Sequence, residues 1–207
     1  MGLKILDLFA GFGGTTRGLQ KWLDENNISY EYYAIDIDKQ TLKVHKYWNK
    51  KSIVIQRDAY TFTKDELREY DFIWASPPCQ SHSRAQVIWK RRKPDMRLYT
   101  LICKLHQVGK PFIVENVVPY YKPPIMWDYK IDRHIFWTNL DLSDVRVNIK
   151  RKPIYKMSLH ELAEYHGIPY KYVRIYKGDK RQALRNIVNW RISYAIAKQV
   201  FPQIIQK

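Results

Sequence analysis

The sequence predicts an α/β fold, in which a mostly parallel sheet carries helices on both faces. Two observations lead to this prediction. Short, strongly apolar runs alternate with stretches of helical periodicity through the first half of the chain, and several of these runs stop at glycine, proline or aspartate. Strands that alternate with helices at this spacing pair in parallel, because each crossover helix returns the chain to the same end of the sheet.

The predicted elements follow in order along the chain. Buried strands are expected at five apolar runs: 3–9, 30–37, 52–56, 70–76 and 111–114. Helices are expected where apolar residues recur with helical period: 15–25, 39–48 and 95–108. The second half is less regular. It has an aromatic and proline-rich stretch at 117–127 and a strand-like segment at 134–139. Segments with helical periodicity follow at 158–165 and 188–200.

The chain is strongly basic. Its 207 residues include 36 Lys and Arg against 20 Asp and Glu, which gives a formal net charge of +16. Such an excess is the electrostatic footprint of a protein that binds a polyanion, and nucleic acid is the expected partner. Two local clusters, 90–93 and 150–152, are either phosphate contacts or solvated loops.

The sequence has no feature of a membrane or secreted protein. No apolar run approaches the roughly 18 residues that a membrane span needs, and the amino terminus leads into a strand pattern, so we expect no membrane partner and a cytoplasmic protein. Cys79 and Cys103 are too few for a disulfide framework, and no Cys/His spacing resembles a zinc site. This pattern allows a free catalytic thiol, and we expect no metal.

A glycine-rich turn, 10–14, joins the first strand to the first helix. It allows a ligand to approach backbone N–H groups closely, although a purely structural turn is the alternative. The second strand ends in Asp36, placed to accept hydrogen bonds from ribose hydroxyls, and the third is followed by Asp58, placed to reach an adenine amino group. These strand ends favour an adenosine-containing ligand, whereas Asp38 is better explained as a helix N-cap.

A thiol stands at the end of the fourth apolar run. Pro77 and Pro78 remove two N–H donors, so the strand stops there and Cys79 is held on a stiff corner at the carboxyl edge of the sheet. This is the position of a nucleophile, although a turn cysteine without a function is the alternative. Glu115 ends a further buried strand at the same edge, where a carboxylate needs a polar partner.

With these motifs in order, the chain resembles the DNA cytosine-5 methyltransferase family. The segments that carry the resemblance are 7–14 (DLFAGFGG), 77–83 (PPCQSHS), 95–97 (DMR), 115–117 (ENV), 158–169 and 182–188. The resemblance spans nearly the whole chain. It implies a Rossmann-like S-adenosylmethionine-dependent methyltransferase fold, with a core over 1–137, a very short remnant of the target-recognition region over 138–157, and a segment over 158–207 that packs back on the core of a single domain.

The resemblance also implies a reaction, the transfer of a methyl group from S-adenosylmethionine to carbon 5 of cytosine in DNA, with S-adenosylhomocysteine as product. Cys79 would add to carbon 6, Glu115 would hold ring nitrogen N3 and the exocyclic amine, and Asn116 would orient that loop. The cytosine must be flipped out of a duplex or be single-stranded already.

Two further sets of residues are expected around this chemistry. Those expected at the cofactor are Asp7, Phe9, Ala10, Gly11, Gly13, Gly14, Asp36, Ile37, Asp58, Ala59, Pro77, Asn186 and Val188. Those expected at DNA are Gln80, Ser81, Ser83, Arg84, Lys90, Arg91, Arg92, Lys93 and Arg97. The segment 80–93 is the expected lid over the target base, and a flexible charged loop is the alternative.

The sequence departs from the family pattern at two positions. The family's Gln-x-Arg-x-Arg strand, whose arginine assists Glu115, corresponds to 132–136 here, so either Arg133 or His134 takes that place. Arg133 is preferred because a permanent charge suits an oxygen that gains electron density. Arg185 stands where glycine is usual before Asn186, which weakens the expected cofactor contact there.

The segment 139–157 is short for a target-recognition region. Because phosphate contacts fix position without reading sequence, we expect relaxed or short specificity, or recognition supplied by a protein partner or a homodimer. Two other hypotheses stay open. One is cytosine-5 methylation of RNA, and the other is a catalytically weak nucleic-acid-binding subunit of a two-chain methyltransferase.

Overall fold

The computed structural model describes residues 2–84, 93–149 and 153–206. Its described residues include seven strands: β1 (Leu3–Leu8), β2 (Tyr30–Asp36), β3 (Ile53–Gln56), β4 (Phe72–Ala75), β5 (Phe112–Val117), β6 (Tyr129–Ile131) and β7 (His134–Thr138). They form one sheet with the order β3-β2-β1-β4-β5-β7-β6. All five runs predicted to be strands belong to this sheet.

The sheet is mostly parallel. β1 pairs in parallel with β2 and β4, and the parallel pairing continues from β2 to β3 and from β4 to β5. β7 pairs in antiparallel fashion with both of its neighbours, β5 and β6. The predicted α/β class with a mostly parallel sheet is therefore confirmed. The carboxyl ends of β1, β2, β4 and β5 meet at one edge, where the chain order reverses and where open α/β sheets bind ligands.

The α-helices of the described residues lie on both faces of the sheet. They are α1 (Gly14–Glu25), α2 (Lys39–Trp48), α3 (Lys64–Arg68), α4 (Arg97–Val108), α5 (Leu159–Tyr165), α6 (Tyr170–Arg174), α7 (Lys180–Arg185) and α8 (Trp190–Ile205). Alternation along β4 separates the two faces: Phe72 and Trp74 join a core cluster with α1 and α8, whereas Ile73 and Ala75 join a cluster with α4.

The carboxyl-terminal helix packs on the amino-terminal one. The rings of Trp22 on α1 and Phe201 on α8 stack at 5.4 Å between centroids. A Cβ atom on Gly18 of α1 would lie 2.1 Å from the Ser193 hydroxyl oxygen of α8. The two helices therefore approach as closely as a bare backbone allows, which brings the segment after residue 186 against the glycine turn.

Four elements were not predicted: β6, α3, α6 and α7. None is longer than six residues, which is too short for hydrophobic periodicity to show. A local signal for α3 was present, because Thr63 and Glu66 form a reciprocal capping box before it. The last helix also differs from the prediction, since it begins after the cap Asn189 and continues past Pro202 to residue 205.

The short segment 139–157 contributes to the core. Leu140, Leu142 and Val145 are buried in the same cluster as α1 and α8. Its described residues otherwise contain one short 3₁₀ turn, Ile154–Lys156. Within the described part of the chain, no helix combines the length and the apolarity needed to cross a membrane.

Candidate active site

The turn that carries Cys79 begins where β4 ends. Because β4 and β5 are neighbouring parallel strands, this turn and Glu115 emerge at the same edge of the sheet. The side-chain amide of Asn116 donates a hydrogen bond of 3.0 Å to the carbonyl oxygen of Pro77. The bond joins the two strand ends, so the thiol-bearing turn and the carboxylate-bearing strand are held in one frame.

Glu115 has a buried polar partner on β7. His134 donates from Nδ1 to a carboxylate oxygen of Glu115, and both side chains are almost fully buried. Nε2 of the same ring accepts a hydrogen bond of 3.3 Å from Nε of Arg133, and Nη2 of Arg133 lies 3.4 Å from the carbonyl oxygen of Arg185. His134 therefore contacts the carboxylate directly, and Arg133 contacts His134.

The electrostatics of this cluster favour a protonated thiol. Burial raises the pKa of Cys79 to about 11, and the nearby Glu115 carboxylate acts in the same direction. The guanidinium groups of Arg133 and Arg185 act the opposite way and lower it. Both arginines thus lie within electrostatic reach of Cys79, and the thiol keeps its proton at neutral pH.

The residues after Cys79 are tied to the segment that follows β5. The backbone N–H groups of His82 and Ser83 donate to the Cys79 carbonyl at 3.0 and 2.9 Å. The His82 ring, which is buried, bonds through Nδ1 to the Tyr121 hydroxyl at 2.5 Å, and that hydroxyl bonds to the hydroxyl of Tyr99 at 3.0 Å. These contacts tie the turn to the segment after β5 and, through Tyr121, to α4.

Two of the residues expected at DNA, Ser81 and Arg97, contact Asp95. The Ser81 hydroxyl accepts a hydrogen bond from the Asp95 backbone. Arg97 pairs with Asp95 at 2.7 Å and lies over the Tyr60 ring, next to the expected cofactor edge. The other described residues of this set are partly or fully exposed: Gln80, Ser83, Arg84 and Lys93. Three more lie outside the described residues: Lys90, Arg91 and Arg92.

Each glycine of the turn 10–14 has its own reason to be glycine. Gly11 has a φ of +54°, and the nearest atom to an added Cβ would be 3.9 Å away, so this side of the turn is open. A Cβ atom added at Gly13 would lie 2.2 Å from the side chain of Asn49. One added at Gly14 would lie 2.1 Å from the carbonyl oxygen of Val188. Two glycines therefore serve packing, and only Gly11 leaves room for a ligand.

Three aspartates mark the strand ends near this turn. Asp36 accepts hydrogen bonds from the backbone N–H groups of Gly11, at 3.0 Å, and of Asp38, at 2.9 Å. Asp38 caps α2 by accepting from the Gln40 backbone, which confirms its interpretation as an N-cap. Asp58 caps the 3₁₀ turn Ala59–Thr61. The carboxylate of Asp36 thus fixes the glycine turn as well as standing at its edge.

Apolar side chains border the same edge. Ile37 is 68% exposed, which is unusual for an isoleucine that directly follows a buried strand. Phe9 adopts a φ of +61°, and its ring meets the Tyr60 ring edge-on at 4.9 Å. Ala59 is buried beside them. An exposed apolar side chain thus follows β2, and an aromatic pair joins the end of β1 to the 3₁₀ turn Ala59–Thr61.

Asp7, another residue expected at the cofactor, serves the interior. Asp7 is buried, and one of its oxygens accepts from the hydroxyls of Thr16 and Tyr32, at 2.7 and 2.9 Å. Its other oxygen has no hydrogen-bond partner among the described residues, and burial raises the pKa of Asp7 to about 7. The remaining four are Ala10, which is buried in the turn, Pro77, which is buried two residues before Cys79, Val188, which is buried against Gly14, and Asn186, which is exposed after α7.

A family model, C-5 cytosine-specific DNA methylase, matches residues 3–123, which is more than half of the 207 residues. The chain belongs to this family. The match covers β1 to β5, and therefore both the glycine turn and the turn that carries Cys79.

Two curated relatives, both named as type II methyltransferases, align with part of the chain. Type II methyltransferase M.FnuDI of Fusobacterium nucleatum is 30% identical over 117 residues, covering 56% of this chain and 32% of its own. Type II methyltransferase M1.BsuMI of Bacillus subtilis is 26% identical over 133 residues, covering 56% of this chain and 31% of its own. The chain thus spans about a third of the length of these curated relatives.

A solved structure agrees over the whole chain. The methyltransferase EhMeth of Entamoeba histolytica superposes with a TM-score of 0.63 at 12% identity, covering 99% of each chain. At this identity the likeness shows a shared fold. It extends beyond the segment that the family model matches, to the carboxyl-terminal helices.

Some residues that support the C-5 methylase motifs have no signal in the local sequence. His82, Tyr99 and Tyr121 form one hydrogen-bonded group, yet they lie far apart along the chain. No local pattern links them. The same holds for Thr16 and Tyr32, whose hydroxyl groups both donate to Asp7.

Proposed function

We propose that this protein transfers a methyl group from S-adenosylmethionine to carbon 5 of cytosine in DNA, through a covalent bond between Cys79 and carbon 6. The observation that carries the proposal is the hydrogen bond between Asn116 and Pro77. It keeps a thiol and a carboxylate at one sheet edge, in a chain of the C-5 cytosine-specific DNA methylase family.

The residues of the neighbouring strand ends fit an adenosine-containing methyl donor. Gly11 leaves its side of the turn open, and the exposed Ile37 offers an apolar surface for an adenine ring. Asp36 can accept further hydrogen bonds from ribose hydroxyls, because each carboxylate oxygen accepts more than one. S-adenosylmethionine would supply the methyl group on a sulfonium, and S-adenosylhomocysteine would be its product.

The chemistry explains why a thiol and a carboxylate are needed together. Carbon 5 of cytosine is a poor nucleophile. When Cys79 loses its proton and its sulfur bonds to carbon 6, the ring double bond becomes enamine-like and carbon 5 can attack the methyl group. N3 of neutral cytosine carries no hydrogen, so the proton that the Cys79 thiol releases would pass to N3. Glu115 would then accept from N3–H and from the exocyclic amine, which stabilises the ring as it accepts electrons. A base, for which water suffices, then removes the carbon 5 proton and Cys79 leaves.

The thiol must be activated when the substrate binds. Its pKa of about 11 leaves little thiolate in the free protein at neutral pH. Arg133 and Arg185 supply the positive charge that favours the thiolate, and pairing of Glu115 with N3–H of the base would remove the opposing charge. Arg185, which stands where the family usually has glycine, thus contributes to the positive charge around Cys79.

His134 and Arg133 divide the task of the family's arginine in this proposal. His134 orients the Glu115 carboxylate through a direct hydrogen bond. Arg133 holds the other ring nitrogen of His134 and brings a permanent charge toward the thiol and the cytosine carbonyl oxygen. A histidine alone would lack that permanent charge.

DNA binding follows from the net charge of +16 and from the flipped or single-stranded state that the chemistry requires. Arg84 and Lys93, both exposed, border the segment 85–92, which holds the other basic residues of the expected lid. Because the segment 139–157 is short, we propose relaxed or short specificity, or recognition supplied by a partner chain.

One assay tests the proposal. Purified protein is incubated at low salt with labelled S-adenosylmethionine and, separately, duplex DNA, single-stranded DNA and RNA, and methylated cytosines are mapped. Transfer to carbon 5 of DNA cytosine by the wild type, and its loss in Cys79→Ser, are expected. Transfer to RNA alone would replace the DNA substrate, and no transfer to any substrate would favour a binding subunit. Full activity of Cys79→Ser would remove the covalent mechanism.

A further inference from the structure

Three successive carbonyl groups, at positions 11–13 of the glycine turn, each accept a hydrogen bond from the end of α2. The donors, in the same order, are Nδ1 of His45 at 3.2 Å, the indole N–H of Trp48, and Nδ2 of Asn49 at 3.0 Å. Trp48 and Asn49 follow His45 by three and four residues, so the three side chains lie on one face of the helix end. The turn is therefore held through its carbonyl groups by the end of α2 and the residue that follows it.

A buried polar chain sets the direction of the His45 bond. A carbonyl can only accept, so Nδ1 of His45 carries the ring proton and Nε2 accepts. Nε2 lies 3.3 Å from the hydroxyl of Ser52, whose oxygen in turn accepts from the Gln20 amide at 3.2 Å. All three side chains are buried. Burial also lowers the pKa of His45 to about 4, so the ring stays neutral near neutral pH.

The turn and these donors are in direct contact. Gly13 has a φ of +85°, and a Cβ atom there would lie 2.2 Å from Nδ2 of Asn49. On the other side, the N–H of Gly11 donates to Asp36. The peptide planes of the turn cannot rotate without breaking several of these bonds, so the ligand-facing backbone is set before any ligand arrives.

We propose that His45, Trp48 and Asn49, here called the carbonyl clamp, hold the glycine turn in its ligand-binding conformation and thereby set the affinity for S-adenosylmethionine. The inference rests on the proposed function. The three are positioning residues, since they act through the turn. A free loop loses conformational entropy when it binds a ligand, whereas a clamped turn has lost that entropy on folding.

Calorimetric titration with S-adenosylhomocysteine tests the clamp. Trp48→Phe keeps the aromatic ring and removes one N–H donor, and we expect the affinity to fall about tenfold. With S-adenosylmethionine and DNA, KM for the methyl donor should rise while kcat stays close to that of the wild type. His45→Asn, which keeps an N–H near the position of Nδ1, should retain more affinity than His45→Leu.

The matched control is Tyr47→Phe, on the same helix, because Tyr47 is 42% exposed and stacks on Tyr172. It should bind S-adenosylhomocysteine as the wild type does. Unchanged affinity in Trp48→Phe, with cooperative melting, would overturn the clamp. Absence of binding by the wild type would instead contradict the proposed function.

A second measurement needs no variant. Hydrogen exchange of the ligand-free wild type should be slow at the amides of Gly11 and Gly13, which donate to Asp36 and to the Ala10 carbonyl, because these bonds open only when the clamped turn opens. Exchange there as fast as in an exposed loop would overturn the clamp, whatever the variants do.

Discussion

The side-chain amide of Asn116 lies 3.0 Å from the carbonyl oxygen of Pro77 and donates a hydrogen bond to it. The two residues belong to neighbouring strand ends that are 39 residues apart in sequence. Because Pro77 precedes Cys79 by two positions and Asn116 follows Glu115 directly, this bond sets the separation of the thiol and the carboxylate.

Asn116→Ala should therefore reduce turnover with little effect on cofactor binding. Loss of the bond frees the turn, and misplacement of reacting groups by about 1 Å costs about a hundredfold in rate. Single-turnover methylation and calorimetry with S-adenosylhomocysteine measure the two effects.

Asn139→Ala is the matched control for this prediction. Asn139 bonds the backbone of Phe112 and Lys110, at the opposite end of β5. It should lower stability without a comparable loss of rate. Equal losses of rate in both variants would show that the contact at Pro77 has no special role.

The reactivity of Cys79 should depend on Glu115. In a Cys103→Ser background, Cys79 should react slowly with iodoacetamide near pH 7 and faster as pH approaches 11, because only the thiolate reacts. Glu115→Gln removes a negative charge that raises the thiol pKa, so its profile should shift to lower pH. Mass spectrometry of the alkylated peptide follows the rate, and an unchanged or upward shift would contradict this electrostatic account.

Gly14→Ala should lower the free energy of unfolding far more than Gly109→Ala does. The new Cβ at Gly14 would lie 2.1 Å from the Val188 carbonyl, whereas Gly109, with a φ of +76°, has nothing within 4 Å. We expect a loss of about 3 kcal/mol from overpacking at Gly14 and about 1 kcal/mol from backbone strain at Gly109. Urea unfolding measures both, and similar losses would argue against close packing of the carboxyl-terminal segment on the turn.

The free energy of unfolding of Asp7→Asn, relative to that of the wild type, should increase with pH. The folded protein raises the pKa of Asp7 from 3.8 to about 7, so between these values the unfolded state ionises while the folded state keeps the proton. Asp7 therefore lowers the free energy of unfolding as pH rises through that window, by on the order of 4 kcal/mol at most. The uncharged amide of the variant avoids this cost.

The control is Asp65→Asn, at an exposed position on α3. The difference in free energy of unfolding between Asp65→Asn and the wild type should change far less between pH 4 and about pH 7. Thermal unfolding across this range would contradict the Asp7 prediction if the advantage of the variant shrank as pH increased.

Local patterns predicted the long elements well. The predicted bounds of α2 agree with the structure, and those of α1 differ by one residue, because an apolar face and flanking turn residues are local properties. The glycine turn was interpreted mainly as a ligand site. The structure shows that Gly13 and Gly14 are also required by side chains and backbone from distant segments, which periodicity cannot reveal.

The sequence by itself determined the α/β class, the order of the motifs and the residue types at the strand ends, since hydrophobic period and turn chemistry act over a few residues. Only the tertiary structure decided that His134 contacts Glu115, and that α2 binds the carbonyls of the glycine turn. Those contacts depend on strand order and helix packing, which bring together side chains 19 to 36 residues apart. A hydrogen bond is set by distance and direction in space, and sequence spacing specifies neither once the chain has turned back on itself.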